Sequence, residues 1–129
     1  VIAGHRVRAW AQKHPGGSVG LRIDDELAYI TDTVVMMENV PHAAGVKLLL
    51  HEVWLNDRDA AANEKERNRH ACFSPVAEFA HAARPGRFMP VHLYPHYSDA
   101  ELADMAAALS ARAAVPAEVP VEGRIYTIA

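Results

Sequence analysis

Three short apolar runs in this chain each close on a polar cluster: Ala28-Tyr29-Ile30-Thr31-Asp32-Thr33, Leu48-Leu49-Leu50-His51-Glu52 and Phe88-Met89-Pro90-Val91-His92. A buried strand that runs into Asp, Glu or His sets that side chain at the carboxyl edge of a sheet. Open α/β sheets assemble their sites at that edge. Three such strand ends within 129 residues point to one shared site, not to scattered polar residues. The fold class expected from these runs is α/β.

Half of the residues are hydrophobic and 22% are charged, which suits one modest globular domain spanning residues 1–129. The formal net charge of -3 offers no overall attraction to nucleic acid. The basic strip Lys65, Arg67 and Arg69 reads as a solvated helix face. One cysteine, Cys72, excludes an internal disulfide and fits a reducing, cytoplasmic compartment. No apolar run approaches the ~20 residues that a membrane span needs, and no charged-then-apolar leader is present. The chain begins at Val1, within what reads as the approach to a strand, so a cut edge is expected there.

His5 to Trp10 alternates like a half-buried strand, and the Pro15-Gly16-Gly17-Ser18 turn leads into a second strand, Val19–Ile23. The polar Asp24-Asp25-Glu26 turn joins it to Leu27–Ile30 as an antiparallel hairpin. Val34 to Val40 is apolar without a clear period, and Gly45 is expected just past a helix end. Val46 to Leu50 reads as a strand covered on both faces. Asn56 to Arg69 is polar throughout and is expected as an exposed helix or loop. Ser74-Pro75 predicts a helix start with Ser74 as cap, and Arg84-Pro85-Gly86 stops that helix. Pro90 places its strand at an edge or strand end. Ser98 and Glu101 form a capping box before the stripe Leu102, Met105, Ala106 and Leu109. Two short strands, Glu118–Val121 and Arg124–Ile128, are expected about the Glu122-Gly123 turn.

Eight histidines are present. His5, His42 and His81 sit in surface-like contexts, whereas His14, His51, His70, His92 and His96 stand where chemistry is plausible. Asp32 is read either as a helix cap or as a metal ligand, because its two oxygens can bridge two divalent ions. Glu52 with His70 is read either as a structural ion pair or as an acid and the carboxylate that raises its pKa.

Taken in order, Asp32-Thr33, His51-Glu52, His70-Ala71-Cys72 and the strand-terminal His92 resemble the C-terminal half of a metallo-β-lactamase-fold hydrolase, nearest to the ribonuclease Z branch. Thr31-Asp32-Thr33 resembles the Gly-Asp-Thr motif with Thr in place of Gly. His51-Glu52-Val53-Trp54 resembles the branch's His-Glu-Ala-Thr, and His70-Ala71-Cys72 its His-Ser-Thr. The segment Leu93-Tyr94-Pro95-His96-Tyr97 resembles the one that follows the last metal ligand. His14 precedes Gly20-Leu21-Arg22-Ile23, a strand similar to the Gly-Tyr-Arg-Ile type.

The resemblance implies half of an αββα sandwich: a mixed sheet with helices on one face and an apolar opposite face that packs on a missing half. It implies His14, Asp32 and His92 as metal ligands, with Asp32, Glu52 and His70 as the catalytic residues. Two zinc ions are implied, with manganese or iron as the other choices, and the reaction implied is phosphodiester hydrolysis. The signature His-x-His-x-Asp-His does not occur in the chain. Three ligands are too few for two ions, since a catalytic zinc has three protein ligands of its own. The other reading is a non-catalytic fragment serving as a structural or interaction module, and the sequence upstream of Val1 separates the two. A small-molecule or nucleotide diester is the expected substrate; nucleic acid and a second copy of the chain stay open as partners, as do sulfate esters and lactones.

Overall fold

The computed structural model describes all residues, Val1 to Ala129. Five strands form one mixed sheet in the order β1-β2-β3-β4-β5: Val7–Gln12, Ser18–Ile23, Leu27–Ile30, Leu48–Glu52 and Arg87–Val91. β1 with β2 and β2 with β3 are antiparallel, while β3 with β4 and β4 with β5 are parallel. Two reversals return the chain to its first direction, so β1, β3, β4 and β5 all point their carboxyl ends to one edge. The residues at or just past those ends, His14, Asp32, Glu52 and His92, are therefore carried to the same place by topology alone.

The helices are α1 (Val40–Ala43), α2 (Asp57–Ala62), α3 (Glu64–Arg67), α4 (Phe73–Ala83) and α5 (Asp99–Ala113). One face of the sheet packs beneath α1, α4 and α5, and Leu49, Phe79, Phe88 and Leu109 are all 1% exposed or less there. The opposite face carries Val7, Ala9, Val19, Leu21, Leu27, Tyr29 and Leu50, alternating with the covered residues as pleating requires. Val19 is 53% exposed and Tyr29 39%. The expected half-sandwich, covered on one side and apolar on the other, is what the chain forms. No helix is long and apolar enough to cross a membrane.

Gly20 pairs with Trp10 across β1 and β2, and the indole lies over its Cα to stack on His42 at 4.5 Å. A β-carbon on Gly20 would stand 2.3 Å from the indole ring. Gly20→Ala is expected to cost about 1–3 kcal/mol in urea unfolding, the usual cost of overpacking. An unchanged midpoint would mean that the indole swings aside freely.

Local details follow sequence chemistry with three corrections. Asn56 and Asn63 cap the short helices α2 and α3 with their side-chain oxygens, so Asn56 to Arg69 is helical in two pieces. The capping box of Ser98 and Glu101 is formed, Gly45 follows α1 at φ +67, and β5 with Pro90 is an edge strand. The first correction is to α4, which begins at Phe73, so its cap position is Cys72, two residues before Ser74, and carries no side-chain cap. Backbone bonds from Trp54 to Ala71 and from Phe73 to Leu55 clamp the preceding segment, and the chain turns helical as soon as it leaves them. Ser74 instead gives its hydroxyl to Asp57 at 2.6 Å.

The second correction is that residues 118 to 128 form no strands. A single bridge, between Ala117 and Phe88, is its backbone pairing with β5, and the Arg87–Glu118 ion pair adds a side-chain tie. Pro120 removes a donor, and the Tyr126 ring instead lies beneath the Arg87 and Arg124 guanidinium groups. The third correction is Asp32: no helix starts on it, since the next helical turn begins at Met37 with Met36 before it.

Candidate metal centre

Asp32 and His92 each stand just past the end of a strand, and both adopt the left-handed backbone conformation, at φ 54 and φ 50. That region costs an ordinary residue roughly 1–2 kcal/mol. It is held at Asp32 by bonds from the Gln12 amide to the Thr31 carbonyl at 2.8 Å and from the Ser18 hydroxyl to the Asp32 carbonyl at 2.7 Å. Six non-glycine residues adopt this conformation, and Asp32 and His92 are the two that meet at this edge.

The turn after each strand brings the side chains together. Asp32 Oδ1 lies 3.7 Å from His14 Nε2 and 3.5 Å from His92 Nε2. Two groups of three donors lie within 4.8 Å of one another: His14, Asp32 and His70, and Glu52, His70 and His92. The donors are imidazole nitrogen and carboxylate oxygen, a set suited to zinc and also to manganese or iron. A divalent ion therefore fits the residues present.

Glu52 is the hub beneath this cluster. Its carboxylate is fully buried, accepts the Thr33 N–H at 2.9 Å, and lies 2.5 Å from His70 Nδ1 and 3.2 Å from His92 Nδ1. Burial pushes the Glu52 carboxyl up to about 8, and the Asp32 charge adds to this. Burial and the neighbouring His92 hold His70 below its usual value, which corrects the expectation that the Glu52 carboxylate raises it. The short contact between them needs one proton on the line from nitrogen to oxygen. The second nitrogen of each ring is left to face outward: Nε2 of His92 toward Asp32, and Nε2 of His70 toward Glu66, 4.0 Å away. A carboxylate behind a histidine in this way fixes the ring and its tautomer.

Sequence reasoning paired Glu52 with His70 and missed its contact with His92. It also missed Trp54, whose indole stacks on His70 at 4.5 Å and on His92 at 5.0 Å while donating to Glu66 at 2.8 Å. The position of Trp54, two residues after Glu52, was the available signal.

His51 is a correction. Expected beside Glu52 around the site, it points to the helix-covered face, where its ring packs on Phe79 and its Nδ1 meets the Glu52 carbonyl at 2.8 Å. Successive strand residues face opposite ways, so His51 and Glu52 cannot both reach the cluster. Burial holds His51 down to about 4, against 6.5 for a free imidazole. The unfolded chain therefore takes up a proton first, and stability is lost as pH falls from about 6.5 to about 4. Relative to His51→Gln, the wild type is expected to lose about 3 kcal/mol across that window in denaturant titrations. Parallel curves for the two proteins would show that His51 is solvated. His96 lies apart, edge-on to Tyr94 and exposed.

A metallo-β-lactamase-fold protein from Bacillus subtilis superposes on 98% of the chain with a TM-score of 0.80 and 17% identity. The chain has half of a metallo-β-lactamase fold. It spans 50% of the length of that protein, so about half of the fold has no counterpart in these residues. The short form of human tRNase Z matches 75% of the chain at a TM-score of 0.62 and 22% identity, with 39% of its own length covered. A diphosphatase of the PhnP family matches 96% of the chain at a TM-score of 0.70 and 13% identity, with 43% covered. No protein-family model matches the sequence, and no curated protein matches it. In the metallo-β-lactamase fold as this chain builds it, His14, Asp32, Glu52 and His92 occupy the carboxyl edge of the half-sheet.

Proposed function

We propose that residues 1–129 are the C-terminal portion of a metal-dependent hydrolase domain that cleaves phosphodiesters, as in the ribonuclease Z branch. The supporting observation is the convergence of His14, Asp32 and His92 around one carboxylate oxygen, with Glu52 and His70 immediately behind. His14, Asp32 and His92 would hold divalent ions, zinc first, and the donors still needed for two ions come from an N-terminal half seated on the open apolar face. Ions held there would supply a hydroxide nucleophile at neutral pH and offset charge on the phosphoryl oxygens.

The chain's own residues carry the rest. Glu52 orients His92 and His70 through their Nδ1 atoms and is a positioning residue for both. His70, whose Nε2 is not taken by Glu52, gives a proton to the leaving oxygen, which an unassisted alkoxide needs in order to depart. In balance, a water gives one proton to solvent and the resulting hydroxide oxygen bonds to phosphorus. The phosphorus–oxygen bond to the leaving group breaks, its electron pair stays on that oxygen, and the His70 proton joins it. The products are a phosphate monoester and an alcohol.

The test uses the zinc-loaded protein containing both halves. His70→Ala is expected to lower kcat by about 10²–10⁴ for an alkyl phosphodiester. With p-nitrophenolate, which leaves without an acid, the loss should be far smaller. Equal losses for both substrates would show that His70 is a metal ligand and not the acid.

A further inference from the structure

We propose that the cavity beside His70 is the leaving-group pocket, and that it takes a small alcohol carrying a negative charge. The inference rests on the reading of His70 as the acid. A leaving oxygen within hydrogen-bond distance of the His70 ring must have the rest of its group on the His70 side of the site. A cavity of about 150 Å³ lies there, with His70 in its wall.

Its other walls define the occupant. Val34, Val35 and Pro75 are apolar and suit a carbon body. Cys72 is no competing nucleophile, because burial pushes its thiol up to about 11 and keeps it neutral. Arg67 is the charged group at the rim. Its guanidinium makes one long bond of 3.4 Å to the Ala60 carbonyl, and the ion pairs of the chain do not include it. Guanidinium groups recognise carboxylate and phosphate through paired N–H donors. At ~30 Å³ of liquid volume per water, the space equals about five waters. It therefore fits a hydroxy acid or a short sugar phosphate, and is too small to enclose a nucleic-acid strand.

The experiment follows the methyl resonances of Val34 and Val35 in the protein containing both halves, without added metal. The probes are 4-hydroxybutyrate and 1,4-butanediol, which differ in the terminal charge. Saturable shifts with 4-hydroxybutyrate are expected, with butanediol at least tenfold weaker. Arg67→Ala should weaken 4-hydroxybutyrate roughly tenfold, the loss of one charge-assisted contact, and Arg67→Lys should restore part of it. Arg67 is exposed, so these variants are expected to fold as the wild type does. Equal binding of the two probes, or an affinity indifferent to Arg67, overturns the proposal. So does a single-stranded oligonucleotide that shifts these methyls while 4-hydroxybutyrate does not. Zinc binding is read at His14 and His92, outside the pocket, and the leaving-group dependence of His70→Ala is read by kinetics, so the pocket and the hydrolase reading can fail separately.

Discussion

Asp32→Asn is expected to weaken zinc binding by more than the roughly 10–100-fold that losing an outer hydrogen-bond partner costs, with the fold left intact. Asp32 Oδ1 is the oxygen that His14 and His92 both face, at 3.7 Å and 3.5 Å. Asn keeps the side-chain shape and tolerates the left-handed backbone at φ 54. It also removes a negative charge that acts on buried Glu52. The urea midpoint should therefore stay or rise while affinity, read by competition with a chromophoric chelator, falls. A variant that binds zinc as the wild type does would reduce Asp32 to a turn residue.

Glu52→Ala is expected to produce the largest stability loss, about 3–5 kcal/mol, as when one partner of a buried pair is removed. The deletion leaves the Thr33 N–H without its acceptor and both His70 Nδ1 and His92 Nδ1 without their carboxylate. Glu52→Gln keeps an acceptor for Thr33 and fills the same space, so about 1–2 kcal/mol is expected, the penalty of one imperfectly satisfied buried group. Chemical denaturation of the two variants gives the comparison. If Ala and Gln cost the same, the carboxylate is not the hub that its contacts describe.

The sheet was legible because its signals are local. Alternation marked β1, the Pro-Gly-Gly and Asp-Asp-Glu turns marked the hairpins, and Pro90 marked the edge. The convergence of His14, Asp32 and His92 follows from strand direction, and each stands after a strand whose apolar pattern is plain. Contacts between segments distant in sequence were not legible. Ser74 reads as a cap because Ser-Pro favours helix starts, yet the clamp between Ala71–Phe73 and Trp54–Leu55 moves the start earlier. The terminal strands read well by composition but lie beside an edge strand that offers them one bridge. His51 and Glu52 are adjacent letters on opposite faces, so proximity in sequence misassigned one of them. The contact of Glu52 with His92 spans 40 positions (52 to 92) and has no local mark.

The most direct measurement is a zinc titration followed through the histidine ring nitrogens by long-range ¹H–¹⁵N NMR at neutral pH. Eight rings are present, and their places in the fold separate them. Nε2 of His14 and His92 should shift together and saturably. His5, His42, His51, His81 and His96 should hold their positions, since the first pairs with Asp24, the next three pack on Trp10, Phe79 and the Ala113 carbonyl, and the last lies edge-on to Tyr94. Asp32→Asn should abolish the paired shift. Zinc that moves His5 or His96 while His14 and His92 stay fixed would contradict a metal centre at this edge.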